Sequence, residues 1–361
     1  MHRLRGGVAL RALAAAGVLA ASLAFTSPAS AQPGAIPVPP VPAKASILVD
    51  VDTGRVLYEN NDHAPLRPGS LTKTLTAMIA ADWLPAGSRV PVTPVDATVY
   101  PDRVGMKPGQ QWPLDITLHA LVTDSANDAA YALAEDVGGS LGGFSQVMQQ
   151  AARQIGMVDH PTLEDPAGLD GTEGFRGGNR ISAWDLAVAG RDMMANPDLA
   201  AIAALRTYDF TGPDGIKYHL LSRNYHFLAS YPGAIGVKTG FTDRAGYCDM
   251  EEAVSGGRKM LAVVLGSPNP DALAAGLITA GFKVPAAGEG DSPSLPPVAE
   301  PRPPQPAPPP TTSTSTTDPK LVQKVVRPGG PSTFLHAVEG GGLVVGLVLL
   351  TWRWRARGRR R

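Results

Sequence analysis

Strand-like segments stand at both ends of the central part of this chain, and helical spacing fills the length between them. Residues 46–51 and 55–60 read as a hairpin across Asp52-Thr53-Gly54, where glycine supplies the positive φ of a tight turn. Residues 71–83, 114–123, 127–137, 144–155 and 182–194 repeat their apolar positions with helical spacing. Extended stretches return at 218–221, 235–239, 246–254 and 259–265, and 271–282 closes with an amphipathic helix. Parallel βαβ units need strand and helix in alternation. A hairpin, a helical middle and a block of late strands instead suit an antiparallel sheet with helices on its faces. The pattern predicts an α+β fold in which the first hairpin and the last strands meet.

Three short islands follow one another along this frame: Ser70-Leu71-Thr72-Lys73, Ser125-Ala126-Asn127 and Lys238-Thr239-Gly240. Together they describe an acyl-transfer site. A serine hydroxyl is a weak nucleophile at neutral pH and needs a base to take its proton as it attacks a carbonyl. Positions i and i+3 of a helix share a face about one turn apart, which sets Lys73 beside Ser70. Lysine, with a reference pKa of about 10.4, is protonated at pH 7, so it serves as a base only where burial or a second cation disfavours its charge. Lys238 is the expected second cation. Ser125 offers a hydroxyl to relay a proton toward a leaving amine, and Asn127 offers an amide to hold a substrate backbone or the lysine. Thr239 can hydrogen-bond a substrate carboxylate, and Gly240 lets a backbone come close to the strand. Each island alone is weak, since Ser-x-x-Lys arises by chance in most chains of this length. Their order gives them weight, because the first opens a helix, the second sits at a helix boundary and the third follows an extended stretch.

The segment Ile47-Leu48-Val49-Asp50-Val51-Asp52-Thr53-Gly54-Arg55-Val56-Leu57 and the run Pro68-Gly69-Ser70-Leu71-Thr72-Lys73-Thr74-Leu75-Thr76-Ala77 resemble the serine D-alanyl-D-alanine carboxypeptidases. So does Lys238-Thr239-Gly240-Phe241-Thr242. These enzymes are the low-molecular-mass penicillin-binding proteins, and the resemblance covers residues 42–284. It implies a β-lactamase/penicillin-binding transpeptidase-like fold, with a central antiparallel sheet beside an all-helical region and the site between them. It implies Ser70 as nucleophile and Lys73 as general base, with Ser125, Asn127 and Lys238 completing the centre and Thr239 and Gly240 along the substrate. The resemblance also maps an oxyanion hole onto the backbone N–H groups of Ser70 and Phe241, and a carboxylate-holding role onto Arg223. The implied partners are peptidoglycan stem peptides ending in D-Ala-D-Ala, from which the last D-alanine is removed, and β-lactams that acylate the same serine. Class A β-lactamases share the three islands. Thr162-Leu163-Glu164-Asp165-Pro166-Ala167 lacks their Glu-x-x-Leu-Asn pattern. A β-lactamase-like hydrolase and a non-turnover penicillin or cell-wall binding protein are the alternatives. Family members often carry a compact β domain after the catalytic one, and this sequence departs from that pattern.

The 32 Lys and Arg balance 32 Asp and Glu, and no basic stripe with interleaved aromatics appears in the core, which argues against a nucleic-acid partner. Cys248 is alone, so no intramolecular disulfide can form, and its place in an extended stretch predicts a small buried apolar residue. The seven histidines show no metal-ligand spacing, and neither metal nor cofactor is expected. The glycine cluster at 138–143 follows a helix rather than a strand and reads as a helix-terminating loop, not a dinucleotide cradle.

The ends of the chain read as transport and tethering. Residues 1–31 form a secretory signal, with Arg3, Arg5 and Arg11 ahead of and within an apolar run and Ala29-Ser30-Ala31 as the cleavage site. Residues 32–41 are an exported linker, and 42–284 the catalytic domain. Residues 285–332, rich in Pro, Ser and Thr, bury too little apolar surface to fold and predict an extended stalk. Residues 333–352 predict a single transmembrane helix, and the arginines of 353–361 a cytoplasmic tail by the positive-inside tendency. The catalytic domain is thereby expected outside the cell membrane.

Overall fold

The computed structural model describes residues 37–99, 101–171, 178–286 and 292–300. The predicted signal, half of the linker, the transmembrane segment and the basic tail lie outside the described residues. Among the described residues no helix is long and apolar enough to cross a membrane.

The first hairpin is β1 (Ala45–Asp50) and β2 (Val56–Asn60). A 3-10 turn, Gly69–Thr72, runs into α1 (Lys73–Trp83). Two short strands, β3 (Arg89–Pro91) and β4 (Gln111–Pro113), pair with each other and bracket α2 (Pro94–Thr98). The helical middle holds α3 (Leu114–Thr123), α4 (Asn127–Gly138), α5 (Leu141–Gln154), α6 (Ala183–Ala195) and α7 (Pro197–Ala203). A second small hairpin, β5 (Thr207–Thr211) and β6 (Lys217–Leu221), precedes α8 (Tyr225–Ser230). The chain then makes β7 (Ala234–Thr242), β8 (Gly246–Ser255), β9 (Arg258–Ser267) and α9 (Pro270–Gly281). Serine and asparagine start several helices by accepting a backbone N–H: Ser140 from Gly143 at 3.0 Å and Ser182 from Asp185 at 3.0 Å.

The main sheet runs in the order β2-β1-β9-β8-β7, with every neighbouring pair antiparallel. The predicted meeting of the first hairpin with the last strands is thus the β1–β9 pairing, in which Ala45 faces Leu265 and Asp50 faces Met260. Residues 260–265 of β9 are fully buried, and alternation divides them between two cores. Leu261, Val263 and Leu265 join the core shared with the helical middle. Met260, Ala262 and Val264 join Leu273, Ala274, Leu277 and Ile278 of α9 on the opposite face. This is the predicted α+β sheet with helices on both faces. Cys248 is buried in β8, accepts the Gly266 N–H at 3.5 Å, and has its thiol pushed up to about 11 by burial.

The predicted stalk boundary moves. Composition places residue 285 onward in an extended spacer, yet residues 292–300 lie on the folded body. Pro293 O accepts the Val56 N–H at 2.9 Å, and the Leu295 N–H reaches Gly54 O at 2.9 Å. Leu295 is buried in the main core, the Arg191 guanidinium donates to Pro296 O at 2.9 Å, and Ala299 N donates to Asp192 Oδ1 at 2.6 Å. One leucine among prolines supplies the apolar anchor, and a nearly buried arginine on α6 takes the carbonyls it needs. Leu295→Asp should therefore lower the melting temperature of the full chain by roughly 5 °C, read by calorimetry. An unchanged melting temperature would detach this segment from the fold.

Candidate active site

Ser70 and Lys73 sit on successive turns of one continuous rod, because the 3-10 turn passes directly into α1. Lys73 Nζ donates to Ser70 Oγ at 2.9 Å and to Ala167 O at 3.1 Å. The lysine stem lies among the packed helices and is 1% exposed, while Ser70 opens to a cavity of about 960 Å³. Ser125, Asn127, Thr239, Gly240, Phe241 and Arg223 line the same cavity. Lys238, 2% exposed, is buried behind that lining and donates to Thr239 O at 2.9 Å. All the residues singled out in the three islands therefore converge on one place.

Local backbone explains the convergence. Ser125 takes φ +61°, a left-handed conformation that non-glycine residues seldom adopt. It is fixed there by its neighbours, since Ala126 N donates to Ala120 O at 3.1 Å and Asn127 N to Asp102 O at 2.8 Å. Asp128, the next residue, accepts the N–H groups of Val104, Gly105 and Met106 at 2.8–3.1 Å and so secures the loop that carries Asp102. On the other wall, a side chain at Gly240 would stand 3.0 Å from Ser70 N and 3.1 Å from Leu71 N. Glycine at 240 thus lets β7 press against the serine turn, which brings the amides of Ser70 and Phe241 to one junction. The sequence suggests closeness to a substrate backbone; here the chain's own backbone already needs it.

Burial is the main cause of both lysines' unusual acidity. Lys73 is brought down to about 8, mostly by desolvation; Asp165 and Asp102 oppose the shift and Arg223 adds to it. Lys238 is held well below the usual lysine range, first by burial and then by the charge of Lys73. The sequence expects Lys238 to lower Lys73; the charge effect instead falls on Lys238, and Lys73 is lowered by burial with help from Arg223. An amine with a pKa of about 8 is protonated, and unable to accept the serine proton, below that value. Acylation of Ser70 should then rise about tenfold per unit through the acid range and level off above roughly pH 8. A rate of penicillin labelling that is flat from pH 5 to 9 would contradict this assignment.

Arg223 reaches the cavity on the side of α3. Its Nε donates to Asp124 O at 3.2 Å and Oδ1 at 3.1 Å, and its Nη2 lies 3.4 Å from Asp102 Oδ1. It is a half-exposed guanidinium fixed by two carboxylates rather than a freely solvated one.

The family model for D-alanyl-D-alanine carboxypeptidases, peptidase family S11, matches residues 31–269. The chain belongs to this family. D-alanyl-D-alanine carboxypeptidase DacB2 of Mycobacterium tuberculosis is 34% identical over 238 residues, covering 66% of this chain and 79% of the relative. The crystal structure of a D-alanyl-D-alanine carboxypeptidase from Mycobacterium tuberculosis H37Rv superposes with a TM-score of 0.65 at 32% identity, over 72% of this chain and 98% of that one. Penicillin-binding protein D2 of Listeria monocytogenes, in its ampicillin-bound form, superposes with a TM-score of 0.60 at 26% identity, over 68% of this chain and 100% of that one.

Some residues that organise the site of this D-alanyl-D-alanine carboxypeptidase family member lie outside the three islands. Asp165 is fully buried; its Oδ2 accepts the Tyr131 hydroxyl at 2.5 Å and its Oδ1 the N–H groups of Ala167 and Leu169 at 2.9 and 3.0 Å. Asn179 takes the N–H groups of Glu164 and Asp165 and returns bonds to Asp165 O at 2.8 Å and Thr72 Oγ1 at 3.2 Å. These two side chains hold the loop whose Ala167 carbonyl receives Lys73. Gly168 completes the fit, because a side chain there would overlap Gly69 O. Asp170 ties the same loop to β7, accepting Thr242 Oγ1 at 2.9 Å and Arg244 N at 3.0 Å. On β8, Asp249 and Glu251 face the cavity from the α9 side; burial raises Asp249 to about 7 and Glu251 well above its usual range. Among the described residues no group of three or more His, Cys, Asp or Glu is arranged to hold a metal ion.

Proposed function

We propose that the chain is an exported, membrane-tethered serine carboxypeptidase that removes the terminal D-alanine from peptidoglycan stem peptides through an acyl-enzyme on Ser70. One observation carries the reading: a buried amine, poised near neutral pH, 2.9 Å from the hydroxyl that opens to the cavity. Family membership supports the reaction class.

Ser70 Oγ attacks the carbonyl of the penultimate D-alanine as Lys73 takes its proton. The developing oxyanion is held by the amides of Ser70 and Phe241, donors worth roughly 3 kcal/mol each in an acyl-transfer site. Ser125 passes a proton to the departing amine, and Lys238, Thr239 and Arg223 balance the carboxylate of the leaving D-alanine. Asn127, whose side-chain oxygen is buried with no partner among the described residues, is placed to accept from a substrate amide. Water then cleaves the ester. A β-lactam acylates the same hydroxyl, as the ampicillin-bound relative suggests. The Asp165 carboxyl is committed to Tyr131 and two backbone N–H groups, which leaves it no hand in activating a water and disfavours a β-lactamase reading.

Export rests on the basic and apolar leader, and tethering on the apolar stretch 333–352 before the arginines. The test is to incubate the full chain with a pentapeptide ending in D-Ala-D-Ala and with cross-linked muropeptides. Loss of a single D-alanine with cross-links intact is expected. No D-alanine release, or nitrocefin turnover faster than peptide hydrolysis, would overturn the assignment.

A further inference from the structure

A second cavity, of about 250 Å³, lies where five segments of the chain meet, and four of them bring a cation to it. Lys44 precedes β1, Arg67 precedes the serine turn, Arg180 precedes α6, and Arg244 stands in the turn between β7 and β8. The rest of the wall includes the apolar side chain of Leu265 and the bare backbone of Gly266. A solvated charge run on one helix or loop would not gather its members from residues so far apart in sequence.

The cations are poorly matched by acids. Arg67 Nη1 lies 3.3 Å from Asp170 Oδ1, but that carboxylate also receives Thr242 Oγ1 and Arg244 N and does not line the cavity. Lys44 Nζ has only the Ala245 carbonyl, at 3.4 Å. The guanidinium groups of Arg180 and Arg244 meet no acceptor among the described residues. Four positive groups around a small concavity raise the local concentration of anions and favour a multiply charged one. Guanidinium forks pair two N–H groups with two oxygens of a phosphate, and an ammonium adds a point charge.

We infer that this cavity binds a phosphate group, as a free anion or as a phosphate ester. The site is separate from the Ser70 cavity and does not depend on the peptidase reading. It adjoins that cavity through Asp170, which Arg67 shares with the end of β7, the strand that carries Lys238 to Phe241.

The test is calorimetric titration of the full chain in detergent at constant ionic strength. The probes are inorganic phosphate, glycerol 3-phosphate and dihexanoyl phosphatidylglycerol below its micelle concentration. Saturable binding of one probe molecule per chain is expected. It should weaken at least about tenfold in Arg180→Gln/Arg244→Gln, and not in Arg153→Gln, which removes an exposed cation elsewhere. Tighter binding of the lipid would identify a headgroup as the source, and preference for inorganic phosphate a free anion. Lys44→Gln, an exposed change on a different segment, should weaken binding as well, so a folding defect in the double variant leaves the inference open to refutation. Heats that never saturate, or equal affinity in wild type and the charge variants, would overturn it.

Discussion

A Lys73→Met chain is expected to acylate Ser70 roughly a thousandfold more slowly than wild type, with the fold intact. Methionine fills the volume of the lysine stem, so the packing of α1 is spared, and what disappears is the amine 2.9 Å from the hydroxyl. Ser70→Ala should abolish covalent penicillin labelling entirely. Because nucleophile and base act as one unit, the double variant should release D-alanine no more slowly than the worse single one. Time-resolved labelling with a fluorescent penicillin, beside a D-alanine assay, reads both quantities. Labelling of Lys73→Met within tenfold of wild type would mean that another group takes the proton.

Asp165→Ala should be nearly as damaging, although this carboxylate does not line the Ser70 cavity. Its removal leaves the Tyr131 hydroxyl and the N–H groups of Ala167 and Leu169 without an acceptor in a buried place, at roughly 1–3 kcal/mol for each group left unsatisfied. The loop that carries Ala167 O then loses its anchor, and with it the contact that aims Lys73. A displacement of an ångström at the base costs about a hundredfold in rate. The expected result is a loss of that size in acylation together with a melting temperature lower by several degrees. Asp165→Asn keeps the shape and one acceptor oxygen, so it should recover part of both. An Asp165→Ala variant with wild-type acylation would remove this loop from the positioning of the base.

The catalytic cluster was legible because its chemistry is carried by residue types at short spacing, Ser70 with Lys73 above all. The sheet was legible for a related reason: alternation and glycine turns mark β1, β2 and the run from β7 to β9, and pairing follows from their antiparallel order. What stayed hidden depends on partners far apart in sequence. Asp165 reads as one acid in a polar loop until Tyr131 and Asn179 fold around it. The β5–β6 hairpin is half concealed because Thr207 to Thr211 gains its strand character from rings that meet only in the fold, Phe210 stacking on Tyr218 and both against Trp112. Residues 292–300 carry the composition of a spacer, and one leucine aimed at a core is too small a signal to separate them from it. The acidity of Lys73 could be anticipated, with burial and a second cation as its causes, but not that burial would dominate, since desolvation depends on how helices close over a side chain.

The rod that holds Ser70 and Lys73 has a mechanical corollary. Nucleophile and base are spaced within a single stretch of backbone, whereas the amides of Ser70 and Phe241 belong to opposite sides of a seam between helices and sheet. Any loosening of that seam leaves proton pickup untouched and pulls apart the pair of donors that must greet the same oxygen. Reactivity in this architecture is therefore tuned by the tightness with which two layers are clamped, and Gly240 is the point at which the clamp is set.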